Sequence, residues 1–211
     1  DKRIYKYIKL ARDKLPNAFL ELKTNGKGLK LENVLEIFSN GLDYLNINDY
    51  VDYDNFNNKN HSKSILKLKN QLEKIRRFKG NYLKNNSFER INISLRFEGA
   101  VLNTRAGSAP NRNAEINSNH TKFKSKDWLC FRPFEMITIN KDGHVALCSE
   151  DLLFQEKMGD INKTKIIDIW LSKKYKKIRY ELMKGNRECL STCSKCDYKG
   201  FTNEAFLENN L

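Results

Sequence analysis

The chain has 211 residues, 39% of them hydrophobic, which suffices for one domain or two small ones with a buried core. Its formal net charge of +13 suits an anionic partner, whether nucleic acid, an acidic peptide or a phosphorylated substrate, and equally suits a solvated lysine-rich surface. No basic run with interleaved aromatics marks a nucleic-acid footprint, no segment reaches the roughly eighteen apolar residues of a membrane helix, and Asp1-Lys2-Arg3-Ile4 is not a signal peptide.

The pattern Ile4, Tyr7, Ile8, Ala11 reads as a helix entered part-way, so a longer parent or a truncated chain is expected. Ala18 to Leu22 reads as a short buried strand, ending in the turn signal Thr24-Asn25-Gly26. Leu29, Leu31, Val34, Leu35 and Phe38 recur at helical spacing, with Gly41 as the stop. A strand follows over Leu42 to Asn48, then a loop over Asn48 to Asn60, where Asn and Asp dominate. Ile65, Leu68, Leu72, Ile75 and Phe78 mark another helix, stopped by Gly80, and Ile91, Ile93, Leu95 and Phe97 alternate as a strand. Strand-helix-strand-helix-strand order predicts right-handed crossovers and a parallel sheet. Ligands collect at the carboxyl ends of such strands, which makes Asn46 and Asn48 candidates for a cofactor cleft, against the plainer reading of polar strand-end residues.

Asn103-Thr104-Arg105-Ala106-Gly107 then leads into a polar linker, Ser108 to Asp127. Beyond it, Cys130, Cys148, Cys193 and Cys196 fall in two pairs. An alternating run, a Lys141-Asp142-Gly143 turn and Cys148 predict an antiparallel hairpin in which Ile137 and Ile139 return as Val145 and Leu147, drawing Cys130 toward Cys148. The two-residue gap between Cys193 and Cys196 lets both thiolates of one loop reach one metal centre. Four sulfur ligands suit zinc or an iron-sulfur cluster. His144 reads as an exposed turn residue rather than a ligand. The fifth cysteine, Cys189, reads as a spare thiol, with the role of alternative ligand left open. Met158 to Ile161 is expected to turn. Ile166, Ile169 and Trp170 begin a helix, and Ser172 caps a second with Tyr175, Ile178, Leu182 and Met183 on its apolar face. Trp170 and Tyr175 read as core. In the reducing cytoplasm, the expected location, cysteines serve as ligands or free thiols rather than disulfides.

The order Cys130, twelve residues, Gly143, four residues, Cys148, a helical spacer with Ile169-Trp170 and Ile178-Arg179, then Cys193-x-x-Cys196 resembles the auxiliary-cluster (SPASM or twitch) domain of radical S-adenosylmethionine (SAM) enzymes. The resemblance is close over Trp128 to Asp197 and looser upstream. It implies an α/β chain: later βα units of a partial (β/α)6 barrel over residues 1–107, a linker over 108–127, and a small twitch/SPASM domain of β-hairpin plus helices over 128–211. Phe201 to Leu211 lacks the further cysteines of a full SPASM domain, which points to one auxiliary 4Fe-4S cluster on Cys130, Cys148, Cys193 and Cys196. Thr24-Asn25-Gly26 stands where the family often has Thr-Asn-Gly at a strand end. Arg105, in an Arg-Ala-Gly element, is implied as a partner for the SAM carboxylate, which a guanidinium fits in two-pronged fashion, and Asn48 as a second cofactor contact. The family's Cys-x-x-x-Cys-x-x-Cys loop and its Gly-Gly-Glu segment are absent from this sequence. SAM and a second 4Fe-4S cluster are therefore expected only in a complete parent, whose N-terminal half is on the same or another chain. The implied function is oxidoreductase chemistry on a peptide or a small aminosugar or alcohol, with an electron donor as partner. The auxiliary cluster would accept an electron from a substrate radical or position the substrate. The alternative is a non-catalytic module, stapled by zinc or a cluster, that binds a peptide or partner protein. A basic nucleic-acid binder on a zinc ribbon is weaker, because only one end carries Cys-x-x-Cys.

Overall fold

Residues 3–75, 87–88, 90–97 and 130–196 are described by the computed structural model, and the chain divides into two compact units, 1–100 and 101–211. Arg105, the linker, the helix end at Phe78 and Gly80, and the segment after Cys196 lie outside the described residues.

The first unit is built on strands whose side chains alternate between two environments. Its elements are α1 (Arg3–Lys14), β1 (Glu21–Thr24), α2 (Leu31–Ser39), β2 (Tyr44–Val51), α3 (Tyr53–Asn57), α4 (Lys63–Leu72), β3 (Ser87–Phe88) and β4 (Ile91–Phe97). The sheet order is β1-β2-β4-β3. β1, β2 and β4 are parallel, with Thr24 opposite Ile47 and Ile47 opposite Ile93, while β3 adds an antiparallel edge. The expected parallel sheet is present. Leu45, Ile47, Ile91 and Ile93 form one face and pack with Val34, Ile37 and Phe38 of α2, Ile65, Leu68 and Leu72 of α4, and Ile8 of α1. The other face is polar and cross-linked. Asn46 donates to Glu21 at 3.4 Å, Asn92 donates to Asn46 at 3.3 Å and to Ser94 at 2.8 Å, and Arg96 donates to Asn48 at 3.2 Å.

Several boundaries differ from those expected. Residues 18–20 are not strand, and Phe19 is exposed. The cause is Arg12, whose guanidinium takes the carbonyls of Pro16 at 2.7 Å and Ala18 at 2.9 Å and pairs with Asp43, so the segment wraps a cation instead of joining a ladder. The Asn48–Asn60 stretch is not a loop throughout. β2 runs to Val51 because Asp49 and Val51 are buried, and Asp52 then caps α3 by accepting the Asn55 amide at 2.8 Å. Gly41 follows α2 one residue beyond its cap, as a stop signal should.

The second unit contains α5 (Arg132–Glu135), β5 (Thr138–Ile139), β6 (His144–Ala146), β7 (Gly159–Asp160), α6 (Ile166–Trp170), α7 (Lys173–Met183), a 3-10 turn (Arg187–Cys189) and α8 (Ser191–Ser194). The hairpin has the expected register, Thr138 opposite Ala146 and Ile139 opposite Val145. Asn140 organises its turn: the side-chain oxygen accepts the amides of Asp142 at 3.0 Å and His144 at 2.9 Å, and the Asn140 carbonyl accepts from Gly143 at 3.1 Å. Gly143 closes the turn at φ 84°, a left-handed value that favours glycine. Met158 to Ile161 is not a turn but contains β7, the third strand, because Met158 donates to Val145 at 2.7 Å and extends the sheet. Ser172 caps α7 as expected, accepting from Tyr175, whereas Met183 is exposed and leaves the apolar face to Tyr175, Ile178 and Leu182.

Candidate metal centre

The four predicted cysteines are delivered by three local devices. Cys130 precedes α5, which begins with Pro133 in its first turn, where the missing amide donor is tolerated. Cys148 follows β6 at the end of the buried run Val145, Ala146, Leu147. Beyond it, Asp151 is buried and accepts the amides of Gln155 and Glu156, each at 2.9 Å, which fixes the exit from the hairpin. Cys193 sits on α8, and its carbonyl accepts the Cys196 amide at 3.2 Å, turning both thiols to the same side.

α7 is the spine that holds these pieces. Tyr175 donates to the Ala146 carbonyl at 3.2 Å. Arg179 donates to Pro133 of α5 and to Trp170 of α6, each at 2.8 Å, with its guanidinium 3.9 Å from the Trp170 ring centre and 4.6 Å from that of Tyr175. Trp170 and Tyr175 are thus packing residues, as expected, and they clamp a half-buried cation.

Cys130, Cys148, Cys193 and Cys196 line one cavity. Arg132, Glu150, Arg187 and Thr192 share its wall with Pro133, Leu147 and Leu182. Burial pushes the Cys193 thiol far up, and the neighbouring thiols Cys130, Cys148 and Cys196 push it further. Burial likewise raises Cys148, opposed by the amides of Glu150 and Asp151 and by the Arg132 charge. Four thiolates crowded in a low-dielectric cavity repel one another unless a cation compensates them, which is the electrostatic signature of a ligand set. Among the described residues, no group of three or more His, Cys, Asp or Glu is gathered tightly enough to close on a single metal ion. Four sulfurs on one zinc at about 2.3 Å must lie about 3.8 Å apart. Four cysteines on one cavity wall are a soft donor set that suits either one zinc or an iron-sulfur cluster.

The charged wall was not singled out from the sequence. Arg132 pairs with buried Glu150 at 3.2 Å and donates to Ser149, and Arg187 is buried beside them. Nothing in the local pattern distinguishes these from surface residues of a lysine-rich chain. Cys189 is exposed, while His144 lies 3.7 Å from Asp160.

Residues 130–197 match the SPASM family, described as an iron-sulfur cluster-binding domain. This segment is SPASM-like. No curated protein matches the chain significantly. Two solved structures of BtrN, a radical SAM enzyme, share its fold. One, in complex with AdoMet and 2-DOIA, aligns at TM-score 0.67 and 18% identity over 93% of this chain and 67% of that one. The other, in an open conformation, aligns at TM-score 0.64 and 16% identity over 97% of this chain and 69% of that one. The chain therefore shares the fold of these structures and carries a SPASM-like segment over residues 130–197.

A second cavity belongs to the first unit. Asn25, Gly26 and Lys27 after β1, Asp49 and Tyr50 at the end of β2, and Ser62, Ser64 and Ile65 at the start of α4 enclose about 520 Å³ at the carboxyl ends of parallel strands. Asp49 is buried, accepts the Ser62 amide at 2.8 Å and lies 3.0 Å from His61 Nδ1. Asn48, expected to contact a cofactor, is engaged on the polar sheet face with Arg96 and is absent from this cavity's wall. Asp49, one position further, lines the cavity instead. Sequence reading passed over it because it fell in the stretch taken for loop. No helix among the described residues is long and apolar enough to cross a membrane.

Proposed function

We propose that this chain is the C-terminal portion of a radical SAM enzyme of SPASM type, binding one auxiliary 4Fe-4S cluster through Cys130, Cys148, Cys193 and Cys196. The observation that carries this reading is the gathering of those cysteines, from segments far apart in sequence, on one cavity. Such a cluster supplies one-electron acceptor chemistry beside the substrate during oxidation. The chain's own residues do the rest. Arg132 and Arg187 set positive charge against the thiolates, Glu150 offsets part of it, and Leu147, Leu182 and Pro133 keep water out.

In this reading residues 1–107 supply the later βα units of a partial barrel, joined by the 108–127 linker to a twitch-like domain over 128–211. The polar face of the sheet would be the barrel interior, and the cleft at Asn25, Asp49 and Ser62 the place where AdoMet or substrate approaches; Arg105 remains the proposed partner of the AdoMet carboxylate from its sequence element alone. The SAM-cleaving cluster, an electron donor and the remaining strands come from a complete parent. The substrate is a peptide or a small molecule, and the compartment is the reducing cytoplasm, in which free thiols persist.

Anaerobic reconstitution followed by iron and acid-labile sulfide determination tests this. The expected result is about four irons and four sulfides per chain with a broad charge-transfer absorption. Cys193→Ser should lose most of the iron, whereas Cys189→Ser should retain it. One zinc with no sulfide would overturn the redox role and leave a stapled binding module.

A further inference from the structure

Thr192 is the second residue of α8 and directly precedes Cys193, yet it is only 2% exposed. It lines the cysteine cavity. Its hydroxyl oxygen is buried and has no hydrogen-bond partner among the described residues. A threonine early in a helix ordinarily satisfies its hydroxyl with water or with a backbone carbonyl one turn back, and a buried hydroxyl left without either is disfavoured. The rest of the cavity wall narrows the choice of partner. Pro133, Leu147 and Leu182 offer no side-chain acceptor, and Arg132 and Arg187 offer only donors. Glu150 meets Arg132 through Oε1 at 3.2 Å, and its Oε2 is not within hydrogen-bond reach of the Thr192 hydroxyl. What remains on the wall is the set of four cysteines, none of which accepts from the Thr192 hydroxyl directly, which leaves the group they would hold as its partner.

We infer that Thr192 is a positioning residue for the redox centre, its hydroxyl donating a hydrogen bond to an inorganic sulfide of the cluster that the four cysteines would hold. This rests on the cluster assignment above. A hydrogen bond withdraws electron density from the sulfur and stabilises the reduced state, in which the cluster carries one more negative charge. Thr192 therefore raises the reduction potential. The reaction is a one-electron reduction of the oxidised cluster, with the electron supplied by the substrate radical or an external donor, and no proton leaves the threonine.

The test compares the whole chain with Thr192→Val and Thr192→Ser, each reconstituted anaerobically, first for iron and sulfide content and then by a dye-mediated titration monitored by EPR. The expected result is full cluster loading in all three, a midpoint shifted to more negative potential in Thr192→Val, and a Thr192→Ser midpoint close to the parent's. Equal midpoints in all three overturn the inference while leaving the cluster assignment standing. Absence of iron and sulfide from the parent chain overturns both. If Thr192→Val does not load, Thr192→Ala against Thr192→Ser isolates the hydroxyl, and identical midpoints in that pair overturn the inference.

Discussion

Arg179 concentrates more of the second unit's order than any other side chain described. Its donors reach two helices and its plane covers two rings, so removing it detaches α5 from α7 as well as exposing an aromatic pair. Arg179→Ala should destabilise the unit by about 3 kcal/mol, from lost charged hydrogen bonds and a cation-π contact, read as a lowered denaturation midpoint. Tyr175, against which the same guanidinium packs, makes a pH prediction. Burial raises its phenol to about 12 from an ordinary 10.0. The neutral form is favoured when folded, so this contribution to stability is intact below pH 10 and is lost as pH rises toward 12. Tyr175→Phe should flatten that alkaline limb. In the first unit, Gly26 has φ 71°, and a Cβ there would lie 2.6 Å from Ile65 Cδ1 and 2.7 Å from Ile47 Cγ2. Gly26→Ala should cost roughly 2–4 kcal/mol, combining left-handed strain and overpacking. Cysteine spacing made the four thiols legible in the sequence. Thr192 and Arg187 were not, because only the closed cavity removes them from water.

At the level of elements, periodicity succeeded where a face is buried and failed where polar side chains do structural work. The stripes of α2, α4 and α7 and the alternation in β4 were readable because one face of each meets a core. The end of β2 was lost because its last inward positions include an aspartate. That aspartate holds the start of α4 through Ser62 and His61, so Asp49→Ala leaves a half-buried amide and imidazole without their partner. We expect a loss of about 2–4 kcal/mol and weakened amide protection at the start of α4, measurable by hydrogen exchange. β7 was missed for a different reason: two residues carry no period, and only their hydrogen bonds to the hairpin define them as strand. Arg12 likewise defeated the expected start of β1 by capturing carbonyls that a sheet would have used.

For the whole molecule, the two units carry separate cores, one on a parallel sheet and one on a three-stranded antiparallel sheet. The parallel order was legible from strand-helix alternation, whereas the cavity's charged wall required tertiary structure. A group bound only by folded residues 130–196 stabilises that unit by mass action. Chelating the iron should therefore raise hydrogen exchange across α7 and α8 while leaving α2 and α4 nearly unchanged. Uniform loss of protection in both units would contradict their independence.

The wall of that cavity draws its thiols from either side of a long intervening segment: Cys148 and Cys193 are 45 positions apart (193 minus 148). Joined through one inorganic group, they tether the unfolded chain as a covalent bridge would. For a loop of that length, chain-entropy reasoning gives such a bridge about 4 kcal/mol. Iron and sulfide would thus supply the kind of crosslink that oxidised cysteines supply to secreted domains. Oxidative loss of the cluster would then cut a structural tie together with an electron acceptor, leaving a loosened chain with exposed thiols as the visible mark of damage.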